Sequence, residues 1–160
     1  MITVDKVKFT KEIKKKIKSL DDEIDSYTSV DLSWYDRYSD NSYVYLLKDD
    51  KKIIGYLYGA FITKKLYNSF VDGKIISDCL IDEKEFVENS NYVYLSSIVI
   101  KEEYRNKNYG FLLQESFLKD NKEKRIVLLT ISNSGYSLAN KYFKLHKEID
   151  DVHTIFVNKK

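Results

Sequence analysis

The segment 92-YVYLSSIVIKEEYRNKNYGFLLQE-115 constrains the fold more than any other stretch of the chain. Its opening part, 92-YVYLSSIVI-100, is rich in β-branched and aromatic residues and reads as a long strand. Beyond the charged break, 110-GFLLQESFLKDNKEK-124 places Leu113, Phe117 and Leu118 on one face, as a helix packed on a sheet requires. The chain must therefore leave a strand, turn and start a helix through a loop that carries Arg105 and Lys107. The leading N–H groups of such a helix have no acceptor within it and form the positive end of its dipole, so the unit is an anion site. Gly110 lets a ligand approach the backbone with no Cβ in the way, and Asn108 is a residue type that tolerates left-handed φ. Phosphate is the natural guest. On these grounds alone, a solvated loop that happens to be basic stays open as the alternative.

The rest of the sequence places this unit in a single domain spanning residues 1–160, a length that buries a sufficient core without staples. Basic residues number 27 and acidic ones 25, a net charge of +2, which gives no global field to hold nucleic acid. Cys79 is the single cysteine and cannot form an intramolecular disulfide or a multi-cysteine metal site. The start, 1-MITVDKVKFTKEIKKKIKSL-20, lacks the apolar core of a signal peptide, and no stretch is long and apolar enough to span a bilayer. The expectation is a cytoplasmic protein in a reducing compartment.

Period-two alternation in 2-ITVDKVKF-9 predicts a strand, and Thr10 offers an N-cap to a helix over 11-KEIKKKIKSL-20 whose lysines form a solvated face around Ile13, Ile17 and Leu20. Asp31 or Ser33 is a candidate cap for a short second helix. The runs 43-YVYLL-47 and 53-IIGYLYGAFI-62 predict a hairpin. Asp72-Gly73 predicts the turn of a smaller hairpin between 66-LYNSFV-71 and 74-KIISDCLI-81, followed by one or two helical turns in 82-DEKEFVENS-90. Next come a buried central strand at 125-RIVLLTI-131, a helix over 134-SGYSLANKYFKL-145, and a terminal strand or short strand pair in 147-KEIDDVHTIFVN-158.

The run 95-LSSIVIKEEYRNKNYGFLL-113 resembles the acetyl-coenzyme A motif of the GNAT N-acetyltransferase superfamily, R/Q-x-x-G-x-G/A between that family's fourth strand and third helix. Arg105, Asn106, Lys107, Asn108, Tyr109 and Gly110 fill the six places, with Asn108 standing where the family usually has its first glycine. The order of predicted elements is similar to the family's over most of the chain. The resemblance implies an α/β (mixed α+β) fold, a central, mostly antiparallel twisted sheet flanked by helices, with a splayed strand pair at the coenzyme A site. It implies that the backbone of Ile98, Val99 and Ile100 pairs with the pantetheine arm, and that an N–H near Val99 polarises the acetyl carbonyl. It places the phosphates on the residues Arg105 to Gly110 with Phe111, and adds Asn133 to the coenzyme-binding set. The segment 142-YFKLHKEIDD-151 is similar to the family's Y-x-K-L-G-F, which makes Tyr142 the acid that protonates the departing thiolate. A second register would use Ala139 as the helix alanine and put Phe143 at the tyrosine position.

The function so implied is N-acetyl transfer from acetyl-coenzyme A to a primary amine by direct attack in a ternary complex. No metal, nucleic acid or membrane is expected as partner, and a homodimer is left open. The base stays unassigned: 92-YVYLSS-97 has no carboxylate, so Ser96, Ser97 or a chain of waters would relay the proton, and His146 and His153 carry no stronger claim. Asn108 and the missing carboxylate motivate the alternative, a non-catalytic GNAT-like module that binds acyl-coenzyme A or another protein. For an enzyme, the acidic stretches favour a cationic acceptor. These are 21-DDEIDSYTSVDLSWYDRYSD-40, with Tyr27, Trp34, Tyr35 and Tyr38 among its carboxylates, and the region holding Asp72, Asp78, Asp82, Glu83, Glu85 and Glu88.

Overall fold

The computed structural model describes residues 1–24, 31–38 and 42–159. Asp25, Tyr27 and Asp40, which belong to the first acidic stretch, lie outside the described residues. Seven strands form one sheet in the order β1-β2-β3-β4-β5-β7-β6, where β1 is Ile2–Lys8, β2 Tyr43–Asp49, β3 Lys52–Ile62, β4 Tyr92–Ile100, β5 Arg125–Thr130, β6 Phe143–Glu148 and β7 Thr154–Asn158. Pairing is antiparallel for β1 with β2, β2 with β3, β5 with β7 and β6 with β7, and parallel for β4 with β5. Among the described residues, four α-helices accompany them: α1 Lys11–Ile24, α2 Lys64–Val71, α3 Tyr109–Asn121 and α4 Asn133–Tyr142. The fold is thus the mixed, mostly antiparallel α/β class expected.

The chain divides into two compact units, Met1–Gly59 with Ser97–Asp120 and Ala60–Ser96 with Asn121–Lys160. In the first unit, Thr10 caps α1, its hydroxyl accepting the Ile13 N–H at 3.4 Å. Ile17 and Leu20 are buried as their spacing requires. Lys14 departs from the solvated face expected of the α1 lysines. It lies three residues before Ile17 on the apolar side, is buried, gives its ammonium to the Tyr38 carbonyl at 3.2 Å and stands over the Phe9 ring. Phe9, Tyr38 and Tyr58 form an aromatic cluster with Phe9 and Tyr58 centroids 4.5 Å apart. The β2–β3 hairpin closes with Asp50 in the left-handed region, at φ 51°. A register shift at Leu47/Lys48 makes Ile54 the extra residue on β3. On α3, Leu113 and Phe117 are buried, Phe117 edge-on to Tyr45. The short second helix is a 3-10 segment, Leu32–Arg37, with Asp31 at its N-cap position but no bond from the Asp31 side chain.

The second unit contains the main correction to the sequence reading. Residues 66–71 belong to α2, not to a hairpin strand. Thr63 caps the helix by accepting the Leu66 N–H, and Gly73, at φ 75°, ends it with Gly73 N–H bonded to Phe70 and Lys74 N–H to Ser69. Asp-Gly serves a helix C-terminus as well as a hairpin, and burial of Leu66, Tyr67 and Phe70 along one helical face decides between them. Residues 74–81 form no strand, only a 3-10 turn at Asp78–Leu80, while Glu83–Glu85 supplies the expected helical turn. The helix expected over 134–145 ends at Tyr142. Phe143 turns to extended backbone, is buried, and opens β6 against β7. Strand β5 is buried, as a central strand should be.

Candidate active site

Strand β4 changes character along its length. Its pairing with β5 covers Tyr92↔Arg125, Val93↔Ile126 and Tyr94↔Val127, and among the described residues no β5 partner follows for the remainder of β4. The side chains follow suit: Val93, Tyr94 and Leu95 are buried, whereas Ser96 to Ile100 are half-buried. The β5 ladder thus stops before Ile98–Ile100, whose backbone donors and acceptors on that edge have no ladder among the described residues.

The direction of those groups follows from three distances. The Lys101 N–H donates to the Ile54 carbonyl on β3 at 2.9 Å. The Val99 carbonyl also faces β3, since a Cβ built on Gly55 would lie 2.6 Å from it. The Arg105 Nε–H donates to the Ile100 carbonyl at 2.9 Å. A trans peptide holds its C=O antiparallel to the next N–H, and no peptide here is cis. The Ile100 N–H and C=O therefore both point away from β3, and by strand alternation so do those of Ile98, while Val99 turns toward β3. Val99, the residue expected to present the polarising N–H, is thus out of phase by one position.

The loop beyond β4 is built from its own side chains. A 3-10 turn, Glu102–Tyr104, is tied to β2 by the Tyr104 hydroxyl, which donates to Asp49 at 3.0 Å; that bond holds the Tyr104 phenol above its usual pKa. Asn106 and Asn108 both adopt left-handed backbone, at φ 60° and 64°. Asparagine is the non-glycine residue best suited to that region, so Asn108 holds the left-handed backbone there without a glycine. The Asn108 carbonyl accepts the Leu112 N–H at 3.3 Å, making it the residue from which α3 starts. Arg105, Asn106, Lys107 and Asn108 are exposed, Tyr109 and Phe111 half-buried and Gly110 buried. The Lys107 ammonium rests on the Glu103 carbonyl at 3.1 Å and over the Tyr104 ring. Strand end, basic side chains and the dipole-positive end of α3 thus lie in one continuous segment, and these residues fit a polyphosphate group.

In the other unit, Tyr142 closes α4, half-buried, with the Lys141 ammonium 5.2 Å from its ring centre. Phe143, the residue of the second register, is buried and has no hydroxyl. Asn133 is the first residue of α4 and exposed, next to Ser132, whose hydroxyl caps the helix through the Gly135 N–H at 3.0 Å. His153 is held by Asp150 in the β6–β7 turn, and two backbone N–H groups with the imidazole keep the Asp150 carboxyl below its usual pKa. His146 is exposed on β6.

The carboxylates of the acidic stretches serve the fold in several places. Asp21 accepts the hydroxyls of Tyr35 at 2.5 Å and Tyr56 at 2.8 Å, Asp22 pairs with Lys18, and Glu23 pairs with Lys101. Burial first and the Asp21 carboxylate second raise the phenols of Tyr35 and Tyr56 above the usual tyrosine range. The Trp34 ring is covered by the Arg37 guanidinium at 4.3 Å. In the second unit Asp78 accepts the Tyr94 hydroxyl at 2.5 Å, Asp82 caps the turn at Lys84, and Glu85 accepts from Thr63. Two residues the sequence reading passed over are Gly55 and Lys101. A glycine inside the apolar run of β3 was the available signal for a close backbone approach. Among the described residues there is no group of three or more His, Cys, Asp or Glu side chains able to hold a metal, and no helix is long and apolar enough to cross a membrane.

The family model for the acetyltransferase (GNAT) family matches residues 9–146, and the chain belongs to that family. Solved structures with the same fold include the loading GNATL domain of CurA from Lyngbya majuscula, 16% identical, covering 98% of both chains, with a TM-score of 0.71. Arabidopsis thaliana NAA60 in complex with acetyl-CoA is 13% identical, covers 99% of this chain and 100% of its own, and has a TM-score of 0.68. An acetyltransferase from Thermus thermophilus is 14% identical, covers 98% of this chain and 96% of its own, and has a TM-score of 0.66. Comparison with curated proteins gives no match.

Proposed function

We propose that this chain is an N-acetyltransferase that moves an acetyl group from acetyl-coenzyme A to a primary amine. The observation that carries the reading is the end of β4, which has no β5 partner among the described residues, running directly into the left-handed, basic loop that starts α3. A solved relative by fold, the NAA60 complex, binds acetyl-CoA, which supports the same ligand here. Acetyl-coenzyme A would be held through its phosphates by the leading amides of α3 with Arg105 and Lys107, Gly110 and Phe111 lying in that first turn, and Asn133 contributing from α4. Its pantetheine amides would pair with Ile98 and Ile100.

The thioester supplies the acyl carbon and the leaving thiolate. The polarising N–H assigned to Val99 on sequence grounds passes to Ile98, whose amide alternation turns to the open edge. A donor aimed at the developing oxyanion acts most strongly in the transition state. The amine nitrogen attacks the carbonyl carbon, the carbon–sulfur bond breaks, and the Tyr142 phenol gives its proton to the sulfur. The amine proton leaves through water with Ser96 or Ser97 as relay. We further propose that the acceptor carries extra positive charge, because clustered carboxylates raise the local concentration of cations.

The test is a panel of polyamines, aminosugars, lysine peptides and neutral or acidic amino acids assayed with acetyl-coenzyme A. Turnover concentrated among multiply charged amines, with KM rising with salt, is expected. Best turnover with acidic amino acids would remove the acceptor proposal alone. Coenzyme binding without turnover of any amine would favour the non-catalytic module. Tyr142→Phe should lower kcat by about 10² to 10⁴-fold while sparing acetyl-coenzyme A affinity.

A further inference from the structure

Lys101 is the residue between the open edge of β4 and the phosphate loop, and it is buried, its side chain 9% exposed. Its ammonium meets both carboxylate oxygens of Glu23, at 2.7 and 2.8 Å, and its N–H is bound to Ile54. Glu23 sits in the last turn of α1 and is more than half exposed. A buried ammonium is costly to keep without an anion, so the pair holds a charge that the sheet end would otherwise expel. Surface pairs elsewhere on α1, such as Glu12 with Lys16, face no such constraint.

The location gives the pair its consequence. Immediately before Lys101, the Ile100 carbonyl is fixed by Arg105. On the β3 side, Gly55 admits β4 so closely that an added Cβ would meet the Val99 carbonyl at 2.6 Å and the Ile100 Cα at 3.2 Å. Lys101 cannot move without turning the Ile100 peptide, because the Ile100 carbonyl and the Lys101 N–H share one planar unit. An anchor on Lys101 therefore sets both the direction of the Ile100 edge and the start of the phosphate loop.

We propose that Glu23 and Lys101 are positioning residues for acetyl-coenzyme A: the ion pair from α1 fixes the peptide between Ile100 and Lys101 in the orientation that the ligand pairs with. This inference rests on the acetyltransferase reading above. No chemical step passes through either side chain.

Glu23→Gln is the primary test, since an exposed-side substitution of the same shape leaves a folded protein. It should raise the KM and the calorimetric Kd for acetyl-coenzyme A about tenfold, as expected when the buried Lys101 ammonium is left without its anion. Lys101→Met should do the same, whereas Lys101→Arg, which can still engage both carboxylate oxygens, should stay within about threefold of wild type. Glu12→Gln at the other end of α1 is the control. A purely structural pair would lower Tm in Glu23→Gln and Lys101→Met yet leave both acetyl-coenzyme A constants within about twofold, and that result overturns the proposal with the acetyltransferase reading intact. Absence of acetyl-coenzyme A binding by the wild-type protein would remove both.

Discussion

The two halves of β4 use the same kind of sequence for opposite purposes. Tyr92, Val93 and Tyr94 are laddered to β5; Tyr94 stacks on Phe70 with centroids 4.5 Å apart, and Tyr92 leans on Tyr67 at 5.0 Å. From Ser96 to Ile100 the strand is half-buried, and its phasing is set by Gly55, Lys101 and Arg105 instead of by β5. The first half is stabilised by its side chains. The second offers its backbone, and the contacts around it serve to aim peptide groups more than to bury area. An apolar strand can therefore be core along one stretch and, on the proposed reading, recognition edge along the next, with hydrophobicity changing little between them.

The comparison breaks first at Tyr94. Tyr94→Ala deletes a buried ring and should cost about 3–5 kcal/mol in urea unfolding, yet change the acetyl-coenzyme A Kd of the folded protein by less than about threefold. A large loss of affinity without loss of stability would show that the first half takes part in binding.

Gly110→Asp should behave in the reverse sense. The helix dipole offsets only part of the cost of placing a carboxylate at the buried Gly110 position, so the loss of stability should stay below about 2 kcal/mol. Acetyl-coenzyme A affinity should fall by about 100-fold or more, roughly 2.7 kcal/mol, because the added charge and Cβ stand where a phosphate must approach. Calorimetry showing wild-type affinity would dismiss the phosphate loop.

Alkaline titration sharpens the role of α1, which carries Glu23 and is tied to β3 through Asp21 and Tyr56. The Tyr56 and Tyr35 phenols are raised in the folded state, so the folded protein keeps protons that the unfolded chain releases. Their contribution is full below about pH 10 and is lost as the pH rises beyond it, with a limiting slope for Tyr56 of about 1.4 kcal/mol per pH unit. Chemical denaturation from pH 8 to 11 should show that decline, and Tyr56→Phe should flatten it; an identical slope in the variant would remove Tyr56 as its source.

The smallest effect is expected at Asn108. Asn108→Ala places a Cβ-bearing residue without a compensating side chain at φ 64° and should cost about 1–2 kcal/mol, whereas Asn108→Gly should be near neutral in both Tm and acetyl-coenzyme A affinity. Equal losses in both variants would mean that the Asn108 side chain, and not its backbone conformation, matters.

Read alone, the sequence determined a good deal here, wherever the signal is local. Alternation marked β1, helical spacing marked α1 and α3, and the run from Arg105 to Gly110 located the loop and the left-handed capacity of Asn108, because φ preference belongs to a residue and its neighbours. Tertiary structure alone decided the rest. Asp72-Gly73 suits a hairpin turn or a helix end equally, and only burial of Leu66, Tyr67 and Phe70 selected the helix. The phase of β4 was likewise hidden: which of Ile98, Val99 and Ile100 faces the open edge depends on Ile54 and Gly55, more than forty residues earlier in the chain. The Glu23–Lys101 pair is the extreme case, since two ordinary charged residues far apart in sequence acquire a role only because one of them is buried beside the other. Local chemistry is written in residue order, whereas the direction of a peptide group and the worth of a charge are set by what the folded chain brings against them.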